Sequence, residues 1–317
     1  MNEQNQNSTS LRQTYNNAKI IGYVKEIRLE DRVSDRGNAI GGSITVHIPP
    51  YSDHVITVYE NQLSGNGNPN RNYTALQTIR KEYVSMAFLM SPPNNRTRAQ
   101  AMEECSKIEA TAELTLNEYR SQTGEFESRP SLRGRFFSRV DGEFTPKASF
   151  TAECYINKIA DEFKDGEDTG RKIVDVYTTN YRGEVLPQRM IVPSDLADAF
   201  GDIYEAGQTA QFYGEAVNSV ITIAAPQGGF GRQEARTSRV RELVIMGGDP
   251  PYAEENRLAL SPAAIKAAVE VRLNETIPSI MARERNAASP AAPVTAGFGT
   301  PAANNSALAQ AAADFRF

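Results

Sequence analysis

The chain of 317 residues has two cysteines, two histidines, no Gly-Lys-Ser/Thr triplet and no long apolar run. Cys105 and Cys154 neither build a disulfide framework nor complete a zinc site, so a reducing, cytoplasmic location is expected. Cys154 falls in an alternating strand pattern, where core packing is the ordinary reading. His47 and His54 have no accompanying cysteine ligands, which leaves no zinc or triad argument. Gly228-Gly229-Phe230-Gly231 matches neither a P-loop nor a dinucleotide fingerprint. Carboxylates form no recognisable metal or acid/base signature, so no catalysis, metal or cofactor is expected. The longest apolar run, near Met86–Met90, is far short of the about 18 residues that span a bilayer. Met1–Ser10 lacks the basic and apolar regions of a secretory leader, and residues 1–17 read as a disordered lead-in. Positive charge is also short. A formal net charge of −5 argues against a surface that attracts nucleic acid everywhere, because phosphate binding needs accumulated Lys and Arg. A local basic groove remains compatible with it.

What is present fits a globular protein, with 40% hydrophobic and 23% charged residues and a length suited to two domains plus flanks. The residues from Ala18 to Ile27 alternate as a first strand, followed by a polar loop at 31–38, a strand at Ser43–Ile48, a Pro49-Pro50 turn and a strand at Val55–Tyr59. The spacing predicts a helix over Tyr73–Met90, a further turn near Met102–Ile108, and strands at Thr111–Tyr119 and Ser131–Val140. A second series runs through Phe150–Ile159, a charged loop at 164–171, Lys172–Asn180, Gln188–Val192, a helix over Asp195–Glu205 capped by Ser194, Gln208–Val217 and Thr237–Met246.

The two series repeat. Gly22-Tyr23-Val24 lies over Cys154-Tyr155-Ile156 at an offset of 132, which then pairs Ile44 with Val176 and Val46 with Thr178. Ile56-Thr57-Val58 matches Met190-Ile191-Val192, and Thr111–Leu114 matches Thr209–Phe212. The offset falls from 134 to 98, implying about 36 inserted residues in the first copy. After Gly247, Ser261-Pro262 opens a helix reaching about Arg285, with Pro278 as a kink or break, and residues 287–317 are a low-complexity tail ending Asp314-Phe315-Arg316-Phe317. The division is a lead-in at 1–17, a first module at 18–147, a second at 148–250, a helix at 251–286 and the tail.

Five short strands with a helix between the third and fourth is the order of the OB-fold, a Greek-key barrel that binds oligonucleotides. Two such modules and a flexible tail with an aromatic tip resemble single-stranded DNA-binding proteins, most closely the divergent kind carried by bacteriophages. The resemblance implies a mainly β fold of two OB domains, a non-enzymatic role in DNA replication or recombination, and residence in the bacterial host cytoplasm if phage-encoded. Asp314, Phe315 and Phe317 would then dock replication or recombination proteins. The chain departs from the familiar bacterial proteins: it has two modules, no Trp, and one acid in the tip where those have several before Pro-Phe.

Single strands are held by cations and by aromatic rings on which bases stack. Alternation puts Tyr155 and Tyr177 outside adjacent strands of the second module, with Lys158, Lys172, Arg182 and Arg189 as phosphate contacts and Tyr213 extending the surface. Phe230 and Arg232, with Arg239 and Arg241 beyond, belong to a loop placed to fold over a bound strand. The first-module set is Tyr23, Lys25, Tyr59, Arg133, Arg135, Phe137 and Arg139, with Thr45 in the place of Tyr177, which favours the second module as the main platform. Each exposed-face Tyr is equally a good β-former, and each Arg an ordinary surface residue. The competing reading is a non-catalytic protein-interaction or virion-structural barrel; an RNA-binding OB protein is a third. The 251–286 helix either pairs chains into a homo-oligomer or packs back on the second barrel.

Overall fold

Alternating apolar and polar side chains give each strand one face for a core and one for its surroundings, and that pattern recurs along most of the chain. The computed structural model describes residues 11–223, 236–253 and 255–282. The first series comprises β1 (Asn16–Ser34), β2 (Gly37–Ile48), β3 (Ser52–Asn61), α1 (Arg71–Glu82), α2 (Met86–Met90), α3 (Arg98–Glu104), β4 (Lys107–Arg120) and β5 (Phe126–Arg139). The second comprises β6 (Lys147–Lys164), β7 (Glu167–Thr179), β8 (Val185–Val192), α4 (Ala197–Ile203), β9 (Thr209–Ile223) and β10 (Arg236–Gly248). α5 (Pro262–Val271), a π-helical turn at Arg272–Thr276 and α6 (Ile277–Ala282) follow.

In the first series β1 pairs antiparallel with β2 and β4, β2 with β3, and β4 with β5, while Ile56–Thr57 pair in parallel with Leu132–Arg133 to close β3 onto β5. The second series repeats this: β6 with β7 and β9, β7 with β8, β9 with β10, and Val244 in parallel with Ile191. Each series is a closed five-stranded barrel with helix between its third and fourth strands, the OB-fold order. The protein is mainly β.

Ile20, Val24, Ile44, Val46, Ile56 and Ile108 fill the first barrel, and Cys154, Ile156, Val174, Met190, Phe212 and Ile245 the second. At about 1.5–3 kcal/mol for each fully buried large apolar side chain, these are the main cohesive contribution. α1 lays Tyr73, Leu76 and Ile79 on the first core. α4 closes the second with Phe200, whose ring lies 4.7 Å from that of Tyr204 and 5.7 Å from that of Phe212.

The barrels share a β-bulge at equivalent places, Lys25 between Val24 and Glu26 and Asn157 between Ile156 and Lys158. The bulge fixes the true alignment. Tyr23 pairs with His47 as Tyr155 pairs with Tyr177, so Tyr177 corresponds to His47 and not to Thr45, and Val176 corresponds to Val46. Tyr23 pairs with Lys107 as Tyr155 pairs with Thr209, so Thr209 corresponds to Lys107 and not to Thr111. The sequence match was displaced by two residues in one strand and four in another. Both are even numbers, so the inward faces were unaffected.

Other elements differ from expectation in extent. The polar stretches at 31–38 and 164–171 are mostly strand: β1 and β2 extend to a turn at Asp35-Arg36, and β6 and β7 to a turn at Asp165-Gly166. Both residues of the second turn have positive φ, 54° and 87°, as a tight two-residue hairpin turn requires. The expected 73–90 helix is two, divided near Tyr83–Ser85. Residues 11–17 are packed rather than a lead-in: Leu11 and Thr14 are buried, Arg12 makes a bidentate pair with Glu153 at 2.7 and 2.6 Å, and β1 begins at Asn16.

The barrels join through an antiparallel pairing of Asn16–Ile21 with Lys147–Ala152. Ala18 pairs with its own counterpart Phe150, and Asn16–Ala152 and Ile20–Ala148 are interchanged by the 132-residue repeat, which places a local two-fold axis at the Ala18–Phe150 pair. The two sides of that axis are not alike. On one, Ser52 bridges to Ser219, and the Asn218 side chain donates to the Asp53 carbonyl. On the other, where β8 starts and β4 ends, buried Arg272 donates to the Val185 carbonyl at 3.3 Å and pairs with Glu118.

Near the Ser52 contact, His47 Nδ1 lies 2.7 Å from Asp53, and Lys25 also donates to that carboxylate. Partial burial alone pushes the Asp53 carboxyl up, but these two hydrogen bonds hold it at about 2. His54 is buried beside Ser52, and burial pushes its imidazole down to about 4. The unfolded chain therefore takes a proton near the ordinary value of 6.5 that the folded chain refuses. The stability from neutral His54 is complete above pH 6.5 and is lost as pH falls from there toward 4, by about 3 kcal/mol. Urea unfolding across this window should show that decline in the parent and a flatter profile in His54→Gln; identical profiles would refute the assignment.

Candidate nucleic-acid interface

The ligand-binding surface of an OB barrel is the outer face of its second and third strands. In the first barrel the register builds this face in rows. Arg28 of β1 pairs with Ser43 of β2, Ser43 with Thr57 of β3, and Thr57 with Arg133 of β5. The next row carries Glu30, Gly41 and Tyr59. Tyr59 is 43% exposed, and the Arg32 stem and the Tyr59 ring both lie over Gly41, where an added Cβ would meet them at 3.2 and 3.0 Å. Glycine here makes room for a ring and a guanidinium side by side.

Charge on this face is only partly compensated. Arg28 pairs with Glu26 at 2.7 Å, and Arg32 lies 3.9 Å from Glu30. Arg133 is exposed and has no carboxylate partner among the described residues. Arg129, also on the outer side of β5, pairs with Glu127. The face thus offers an exposed ring, the Ser43 hydroxyl and guanidinium groups along both flanks, while the Thr57 hydroxyl donates to the Leu132 carbonyl at 2.9 Å.

The same rows in the second barrel have a different composition. Arg28, Ser43, Thr57 and Arg133 correspond to Ala160, Ile173, Ile191 and Val244, an aliphatic row in which Ile191 is buried. On one side Arg171 is held between Glu242 at 2.6 Å and Glu162 at 3.5 Å. On the other, Asp175 lies between Lys158 and Arg189 in the pairing and binds Arg189 at 2.9 Å.

Tyr155 and Tyr177 are cross-strand neighbours, but they do not form the open platform expected of them: they are 8% and 5% exposed. The N-terminal segment covers this side of β6 and β7, through Arg12 on Glu153 and through Thr14, whose backbone N–H donates to the Thr179 carbonyl at 3.2 Å. Arg272 arrives from beyond α5 and is close enough for its charge to act on the Tyr177 hydroxyl, which burial pushes up to about 12. The first barrel also closes this position, since His47 is 2% exposed.

The remaining expected residues are dispersed. Lys158 and Arg189 are exposed, but Lys172 is tied to Asp161 at 2.8 Å, a hydrogen bond that pushes its ammonium up. Arg182 caps the exposed ring of Tyr181 at 5.3 Å on the β7–β8 turn. Tyr213 is half exposed over Gly247. Tyr23 meets Phe144 edge-on at 5.2 Å, and Lys25 is held by Asp53. Arg135 binds Glu113 at 2.7 Å, and Phe137 packs on the first core. Arg239 and Arg241 are exposed on β10. Phe230, Arg232, Asp314, Phe315 and Phe317 lie outside the described residues. Of the first-module set, Tyr59 and Arg133 share one open face, Arg133 standing beside Thr57, two residues from Tyr59. Arg28 and Arg32 were missed because the first strand reads as ending at Ile27 and residues 31–38 as loop; once β1 and β2 extend to the turn at 35–36, their spacing of four puts both on one side.

The family model YorF matches residues 14–279. The chain belongs to the YorF family. The match spans both barrels and α5. No curated protein matches the chain in sequence. Among solved structures, the wild-type single-stranded DNA binding protein from Thermus aquaticus is similar at 10% identity and a TM-score of 0.45, over 77% of this chain and 97% of that one. A deletion mutant of the same protein is similar at 10% identity and a TM-score of 0.44, over 77% and 98%.

The difference between the covered and the open tyrosines is measurable. Tyr177→Ala should destabilise the YorF-family chain by about 3–5 kcal/mol, as removal of a buried ring does, whereas Tyr59→Ala should change stability by less than about 0.5 kcal/mol. Chemical unfolding reads both, and equal losses would show that Tyr59 is packed rather than presented.

Proposed function

We propose that the chain binds single-stranded DNA, without reading base order, on the outer face of β1, β2, β3 and β5. The observation that carries this is that an exposed Tyr59 on β3 shares its outer face with Arg133 of β5, which stands beside Thr57 and has no carboxylate partner among the described residues, with Arg28 and Arg32 on the other flank. A base stacks on a tyrosine whatever its identity, and guanidinium groups bind the phosphates common to every nucleotide. The net charge of −5 is consistent with such a site, because several arginines elsewhere among the described residues, Arg12, Arg96, Arg171 and Arg189 included, are already paired with carboxylates. Coating exposed strands in replication or recombination, in a bacteriophage or its host, is the setting this activity suits, and the aromatic tip at 314–317 is the segment we assign to partner proteins.

Fluorescence anisotropy with a labelled oligo-dT of a few tens of nucleotides at low salt tests the reading. The parent should bind with a steep salt dependence, Tyr59→Ala should bind about 5- to 150-fold more weakly, and Arg133→Ala should reduce the salt slope by about 0.7. Absence of binding by the parent would overturn the function. Unchanged affinity in Tyr59→Ala would move the site off this face, and tighter binding of an equal-length RNA would change its substrate.

A further inference from the structure

The face just described does not end at the first barrel. β9 leaves the second barrel to lie against the start of β3, where Ser219 bridges Ser52 and the Asn218 backbone N–H donates to Ser52 Oγ at 3.3 Å. Across the β9–β10 ladder, Arg241 stands opposite Asn218 and Arg239 opposite Val220, so this contact carries both arginines to the first barrel. From the other direction comes Arg129, on the same outer side of β5 as Arg133 and four residues away, about 13 Å along the strand.

We infer that Arg129, Arg239 and Arg241 form a phosphate clamp at the junction of the two barrels, which takes a phosphodiester of the strand bound across Tyr59 and Arg133. This deepens the proposed function and rests on it. The charges of Arg129 and Arg239 both reach Arg241; Arg129 lies over the Tyr119 ring at 5.8 Å and has a carboxylate, Glu127, whereas Arg239 and Arg241 have none among the described residues. The crowding is felt by Arg241, whose pKa is pushed down first by burial and then by the charges of Arg239 and Arg129. Like charges brought together and partly desolvated are unfavourable unless an anion joins them. A phosphate supplies that charge with acceptor oxygens that match the guanidinium fork. The clamp gives β10 a role that the compensated outer face of its own barrel does not.

The test uses the full chain and the double variants Arg239→Ala/Arg241→Ala and Arg239→Gln/Arg241→Gln. With an oligo-dT of about 30 nucleotides, loss of two phosphate contacts should reduce the salt slope by about 1.4 and weaken binding at low salt at least ten-fold, with Tyr59→Ala lowering affinity but leaving the slope nearly as in the parent. A slope and affinity equal to the parent's in both double variants, with the parent binding normally, would overturn the clamp and leave the proposed function intact. A second readout needs no DNA: inorganic tripolyphosphate should raise the Tm of the parent by several degrees and leave the double variants unmoved. If the parent fails to bind DNA but shows this shift, the function falls and the anion site stands; equal shifts in parent and variants would overturn the anion site as well.

Discussion

The antiparallel pairing of Asn16–Ile21 with Lys147–Ala152 is the constraint on which the rest of the structure depends. Residues Ala18–Ile21 of β1 hydrogen-bond to β4 on one edge and to β6 on the other, so the strand that starts the first barrel also completes a ten-stranded sheet. Because Ala18 faces its own counterpart Phe150, the junction is symmetric, and each barrel lends the other the N-terminal half of its first strand. Backbone groups left unpaired in a lone barrel are satisfied there, and the edges that invite non-specific strand addition are closed.

A symmetric junction does not impose symmetric surfaces, and the chain has used the two equivalent faces differently. In the first barrel the central row is Arg28, Ser43, Thr57 and Arg133; in the second it is Ala160, Ile173, Ile191 and Val244, bordered by paired charges. The contacts that break the two-fold follow the same division. β9 reaches over to β3 on the side of the open face, while Arg272 and the N-terminal segment close the side where Tyr155 and Tyr177 lie. Among the described residues, Arg133 of the first barrel and Arg239 and Arg241 on β10 are exposed and have no carboxylate partner.

Much of the fold was legible because strand periodicity is local. The alternation at Ile20–Val24 and Cys154–Ile156 and the helix before the fourth strand place the cores of both barrels without tertiary information. Misalignments of two and four residues preserved the parity that separates inside from outside, so the core survived them while the cross-strand partners did not. Tyr155 and Tyr177 show the limit: alternation put them outside the barrel, as they are, but outside is not exposed when residues 11–15 and Arg272, distant in sequence, cover the sheet. Arg28 and Arg32 show the converse. Their place beside Tyr59 depends on β1 extending through residues that are polar because both their faces are solvated beyond the barrel, a pattern that locally resembles a loop.

The central claim is that single strands lie on the first barrel and not on the more aromatic-looking second one. Photo-crosslinking with an oligo-dT that carries halogenated uracil, followed by mapping of the adducts by mass spectrometry, tests it most directly. The account predicts adducts on Tyr59 and its neighbouring β3 residues, with none on Tyr155 or Tyr177; adducts concentrated on β6 and β7 of the second barrel would contradict it.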